Sequence, residues 1–175
     1  MRSDRFTLQP DGSFHRGEYF RIVEDNGGAG VVMRLANGDT WTFAALDDPI
    51  APGKIVERRD RNGNTMSFEY GAQGRLWKVR NTLKVPGEDN RVVTFDYDED
   101  DRLTGVTDFI GRHVAYEYYQ DGNDGGSSGD LKSVTSPAVT GTSTGNDFPE
   151  GKTWTYEYTT GFAEERLNHN LKSIT

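Results

Sequence analysis

At 175 residues, 33% apolar and 11% aromatic, with 21 Gly, 6 Pro and no Cys, the chain is too poor in aliphatics for an ordinary packed core and too rich in aromatics for a disordered one. Its net charge of −8 is uneven: residues 1–88 hold 13 Lys/Arg against 12 Asp/Glu and residues 89–175 hold 7 against 16, an acidic surface that argues against nucleic-acid binding. The lack of Cys excludes a disulfide framework and a thiolate metal site, no apolar run nears the roughly 18 residues of a membrane span, and residues 1–10 hold no signal-peptide core.

Aromatic residues suit pleated, half-buried strands, and Gly and Asp suit chain reversals, so many short strands are expected. Residues 1–36 read as an irregular β lead-in, with the strands of a hairpin in residues 14–24 and 30–35. A degraded repeat follows in residues 37–61, where Asn37-Gly38-Asp39-Thr40-Trp41-Thr42-Phe43 precedes, after an insertion, Lys54-Ile55-Val56.

Four clearer copies come next, at residues 62–88, 89–110, 111–149 and 150–175. Each has an alternating strand ending in aromatic–acidic–aromatic, then a turn, then Leu-x-x-Val or Leu-x-x-Ile. The pairs are Phe68/Tyr70 with Leu76/Val79, Phe95/Tyr97 with Leu103/Val106, Tyr116/Tyr118 with Leu131/Val134, and Tyr156/Tyr158 with Leu171/Ile174. From the second aromatic to the Leu is 6 residues in the first two copies and 13 in the last two, so the extra length belongs to the turn. Alternation puts Met66, Phe68 and Tyr70 on one face and Thr65, Ser67 and Glu69 on the other. Leu-x-x-Val breaks that parity, and either a bulge or a sheet apolar on both sides would resolve it. Residues 162–171 alone allow a turn or two of helix.

Aromatic-acidic-Tyr, a Gly/Asp turn ending in Arg, Leu-x-x-Val-Thr-Asp and a closing Gly-Arg together resemble the YD repeat of Rhs proteins. The clearest instance is Phe95-Asp96-Tyr97-Asp98, then Arg102-Leu103-Thr104-Gly105-Val106-Thr107-Asp108, then Gly111-Arg112. The resemblance covers residues 37–175. It implies an all-β array of antiparallel hairpins forming a curved sheet, a section of a hollow shell like those of polymorphic toxins, insecticidal toxin complexes and teneurin-type surface proteins. It also implies a structural, non-enzymatic role in a larger secreted or cell-surface protein, with neighbouring repeats and an enclosed polypeptide as partners and no cofactor. The self-cleaving aspartyl segment and effector domain of the bacterial family have no match here. Unpaired end strands are expected to promote self-association. The alternative reading is a glycan- or cell-surface-binding module.

Few residues invite a chemical role. Gly125-Gly126-Ser127-Ser128-Gly129 matches a nucleophile-elbow pattern but has no helix after it and reads as a flexible turn. Asp96, Asp98 and Asp100 are spaced like the start of a calcium loop, yet Asp101 and Thr107 stand where Gly and Glu are needed. His15, His113 and His169 lack metal-ligand spacing. Glu69, Asp96, Glu117 and Glu157 recur at one repeat position, as a polar face requires. Trp41, Trp77 and Trp154 are expected to pack between repeats, with Trp77 the best candidate for stacking on a sugar because its parity opposes Leu76.

Overall fold

The computed structural model of the chain describes residues 7–16, 21–25, 28, 30–82, 91–121 and 124–175. Two units divide it, Met1–Val93 and Thr94–Thr175. In the first, β1 (Thr7–Leu8), β2 (Phe14–Arg16), β3 (Arg21–Asp25), β4 (Val31–Arg34), β5 (Thr40–Phe43), β6 (Ile55–Arg59), β7 (Thr65–Tyr70) and β8 (Leu76–Asn81) form a run in which each strand from β1 to β7 pairs antiparallel with the next. β9 (Val92–Tyr97) leads into the second unit. There β10 (Leu103–Thr107), β11 (His113–Tyr118), β12 (Leu131–Thr135), β13 (Thr153–Tyr158) and β14 (Leu171–Ile174) follow it by the same rule. The fold is an all-β, open array of antiparallel hairpins. Among the described residues the only helical piece is a 3-10 turn, Glu165–Leu167.

The lead-in departs from its expected two strands. Residues 14–24 divide into β2 and β3, which pair with each other from Phe14↔Val23 to Arg16↔Arg21. Eleven residues exceed the usual strand of about five or six, so a reversal inside this stretch is the ordinary outcome.

One turn recurs six times, at residues 9–13, 35–39, 60–64, 71–75, 98–102 and 108–112. In each, the first residue's N–H donates to the fifth residue's carbonyl, and the fourth residue's N–H donates to the first residue's carbonyl. The fourth residue must be left-handed. It is Gly12, Gly38, Gly63, Gly74 and Gly111 in five turns, and Asp101 (φ 68°) in the sixth. This is the three-residue hairpin loop closed by a left-handed residue. Where the first residue is Asp60, Asp98 or Asp108, its carboxylate also accepts the N–H of the third and fifth residues. Arg102 and Arg112 close their turns by donating Nε–H to Asp98 and Asp108, each at 2.7 Å. That is the physical reason for a turn that begins with Asp and ends with Arg.

The parity of Leu-x-x-Val is settled by a bulge, repeated at one place in every copy. Glu69 faces Lys78 but Tyr70 faces Leu76, leaving Trp77 as the extra residue. Thr104, Lys132 and Lys172 are extra in the same way in the three later copies. Each bulge restores Leu to the side of the sheet that Val occupies. Phe68 therefore faces Val79 and Tyr70 faces Leu76; Phe95 faces Val106 and Tyr97 faces Leu103. Tyr116 faces Val134 and Tyr118 faces Leu131; Tyr156 faces Ile174 and Tyr158 faces Leu171. All sixteen repeat-defining side chains thus lie on one face within their hairpins.

The degraded copy has the same bulge, with Thr42 facing Glu57 and Phe43 facing Ile55. Trp41 and Phe43 therefore hold the two aromatic slots, Ile55 holds the Leu slot and Val56 is the bulge residue. The slot filled elsewhere by Val or Ile holds Arg58, opposite Trp41.

This face is only half covered. Among the described residues the buried apolar side chains are Ala44, Ala51 and Tyr119, and no large side chain is fully enclosed. Among the described residues every substantial contact between strands joins chain neighbours, as in a quasi-one-dimensional repeat stack. Tyr70 and Tyr118 bridge between repeats. Their hydroxyls donate to the carbonyls of Ile55 (2.7 Å) and Leu103 (2.8 Å), where the β6–β7 and β10–β11 ladders have already ended. Partial loss of solvent raises both phenols above their ordinary pKa.

Candidate functional site

In three of the four clear repeats the acidic slot is spent on the sheet itself. Glu69 pairs with Arg80 at 3.1 Å. Glu117 accepts from Ser133 Oγ at 3.2 Å, and Glu157 accepts from Ser173 Oγ at 3.1 Å with Lys172 3.5 Å away. Asp96 stands opposite Gly105. No two of these carboxylates share a hairpin, so they do not form an acid–base pair of unlike environments.

The calcium-like aspartates are held by an arginine. Arg102 reaches Asp98 and Asp100, both at 2.7 Å, while its guanidinium lies 5.1 Å from the centre of the Tyr118 ring. Desolvation raises the Asp98 pKa, but hydrogen bonds from the Arg102 backbone and side chain outweigh it and hold the carboxyl below its usual range. Among the described residues no three His, Asp or Glu side chains converge as metal ligands would.

The loop around Ser127 is a turn that packs on Tyr119. The Ser127 N–H donates to Asp130 Oδ2 at 2.8 Å. The Tyr119 ring, 5% exposed, lies so close to the loop that a Cβ on Gly126 would sit 2.3 Å from it. The glycines of this tract admit an aromatic ring. Tyr119 also donates to the Tyr156 carbonyl at 2.9 Å and meets the Tyr158 ring edge-on at 6.5 Å.

His15 has its backbone in β2, where it faces Thr7 and Ile22. His113 is a cross-strand partner, with Nδ1 2.8 Å from Thr107 Oγ1. His169 is engaged by two carboxylates, Asp130 at 2.7 Å and Glu165 at 3.1 Å, which together raise its pKa. Glu165 and His169 are four residues apart, a spacing visible in the sequence. Asp130 is 39 residues away and is brought in only by pairing of the third and fourth repeats.

The three tryptophans differ. Trp154 is 43% exposed and Trp77 is 41% exposed, with Lys78 Nζ 3.8 Å from the centre of the Trp77 ring. Trp41 is half-buried under the Arg58 guanidinium, 4.7 Å from its ring centre. Beside that pair opens a pocket of about 360 Å³, lined by Trp41, Arg58, Arg59 and Met66 with Asp39 and Asp60. Sequence reading named Trp41 but passed over Arg58, because the degraded copy shows its register only once the bulge is known.

No helix of the described residues is long and apolar enough to cross a membrane. Compared with protein-family models and with curated proteins, the chain matches none.

Proposed function

We propose that the chain is a non-catalytic stretch of wall from a larger Rhs/YD-repeat protein, secreted or displayed at a cell surface, whose shell encloses a toxin or other polypeptide cargo. The observation that supports this reading is the fivefold recurrence of one hairpin. Each copy carries the same bulge and presents a half-covered face, in an array whose strands touch only their chain neighbours. An array of that kind grows by adding repeats rather than by wrapping a core, which is what a continuous wall needs. Neighbouring repeats of the parent protein pair with its end strands, and in their absence a second copy does so. No residue is assigned a catalytic, cofactor or metal role.

The test is to express the gene product with its flanking sequence and image it by cryo-electron microscopy while following protease resistance. Hollow particles that protect an enclosed polypeptide are the expected result. Solid or rod-like particles with all other segments digested at once would overturn the reading.

The exposed Trp77 on its bulge supports a second reading, a module binding glycans or another cell surface. Glycan-array binding that disappears in Trp77→Ala would favour it over the wall.

A further inference from the structure

The five hairpins form an internal alignment, which the degraded copy breaks at the acidic slot, held by Thr42, and at one slot of the apolar face. The slot opposite the first aromatic holds Val79, Val106, Val134 and Ile174 in four copies and Arg58 in the fifth. Arg58 belongs to a cross-strand row running Met33, Trp41, Arg58, Met66, Asn81, and is the one charged side chain among these five. Its guanidinium is exposed and lies over the Trp41 ring, so water keeps it charged and it needs no carboxylate of its own. Among the described residues neither Arg58 nor Arg59 has one within ion-pair distance.

The polar groups around the adjoining pocket divide sharply. The acceptors are committed to turns: Asp60 takes the N–H of Asn62 and Asn64 and the Asn64 side chain. Asp39 takes the Arg61 N–H and the Asn37 side chain. Beside the side chains of Asn64, Thr65 and Asn81, the lining holds three donor groups with no hydrogen bond: two exposed guanidiniums and the Trp41 indole N–H, which is out of solvent without an acceptor. Donors in surplus call for a ligand that brings oxygen acceptors, and a guanidinium matches a carboxylate two bonds at a time. Trp41 and Met66 supply an apolar wall, and about 360 Å³ accommodates a single ring.

We infer that the pocket formed by Trp41, Arg58, Arg59 and Met66 is a binding site for a small carboxylate with a flat, largely apolar body. Arg58 takes the carboxylate, the indole N–H adds a donor, and Met66 bears on the ring. The inference stands apart from the shell reading, because it rests on one repeat's departure from the other four.

The test titrates the whole chain with benzoate by calorimetry and by saturation-transfer NMR, with benzamide as the uncharged control. Galacturonate and galactose run in parallel to separate an aromatic acid from a sugar acid. Benzoate should bind at least 10-fold more tightly than benzamide and than galacturonate, and galacturonate binding as tightly as benzoate overturns the flat, apolar body. Arg58→Val installs the side chain that three repeats carry in this slot, so the β circular-dichroism spectrum should persist while binding falls at least 10-fold. Trp41→Phe keeps a ring, removes the N–H and should weaken binding several-fold. Equal binding of acid and neutral probe, no binding at millimolar concentration, or full binding by Arg58→Val overturns the inference. If Arg58→Val loses its spectrum, Arg58→Gln replaces it and is judged by the same binding criterion.

Discussion

The short-turned repeats at residues 62–88 and 89–110 and the long-turned repeats at residues 111–149 and 150–175 reach one register by different means. In the first pair a five-residue turn separates Tyr70 from Leu76 and Tyr97 from Leu103. In the second pair seven more residues intervene, yet Tyr118 still faces Leu131 and Tyr158 still faces Leu171. Register is therefore held by the bulge and the facing apolar side chains, and turn length is free to vary. What differs is how each turn is closed. Short turns are sealed locally by a left-handed fourth residue, to which Asp98 in the second repeat adds bonds to its own loop. Long turns add a seal from outside to their local bonds: Tyr119 and Asp130 of the third repeat are tied to Tyr156, Tyr158 and His169 of the fourth.

Breaking that external seal should have the largest effect. Tyr119→Ala removes the one buried large ring of the second unit together with its hydrogen bond, and should cost about 3 kcal/mol. Urea unfolding would measure the loss, and amide exchange should show it concentrated at the N–H groups of Tyr158 and Asp130. Gly126→Ala forces a methyl against the same ring and should cost about 2 kcal/mol by overpacking. Gly111→Ala, in a short turn with open space around it, should cost about 1 kcal/mol, from its positive φ alone. Equal losses for the two alanines would erase the distinction between the two kinds of turn.

Smaller effects sharpen the comparison. Tyr70→Phe and Tyr118→Phe each delete a hydroxyl bond to the preceding repeat and should cost about 1 kcal/mol apiece. The pH dependence should then run in opposite directions. Bonds donated by the His169 ring to Asp130 and then Glu165 raise its pKa in the folded state, so its contribution is complete below the ordinary 6.5 and is lost as pH rises through the raised folded value. Asp108 loses some water, which raises its pKa, but the Arg112 side chain and backbone lower it further. Its contribution, like that of Asp98, is complete above the ordinary 3.8 and is lost as pH falls through the lower folded value. Amide exchange across pH should show the long turns loosening at the alkaline end and the short turns at the acid end. His169→Gln should abolish the first change and leave the second.

Much of this was legible in the residues. Parity in Thr65–Tyr70 and the turn residues Gly71 to Arg75 were enough to place that hairpin, because alternation and turn chemistry are local. The bulge was only half legible. Leu-x-x-Val demands some break in alternation, but whether the extra residue sits after the Leu depends on the partner strand. The seal between Tyr119 and the fourth repeat was not legible at all, since nothing local to Gly125-Gly126 names the ring that fills the space above them. Arg58 stayed hidden for a related reason: an arginine in an irregular copy looks like any surface charge until Trp41 fixes its slot.

The central claim is that one bulge per repeat brings Leu and Val onto the aromatic face. Methyl-to-ring NOE spectroscopy on the chain with labelled Leu and Val tests it most directly. The account predicts NOEs from the Leu131 methyls to the Tyr118 ring and from the Val134 methyls to the Tyr116 ring, within the same hairpin. Leu131 methyls that instead contact the Glu117 side chain and show no NOE to Tyr118 would place Leu and Val on opposite faces and contradict it.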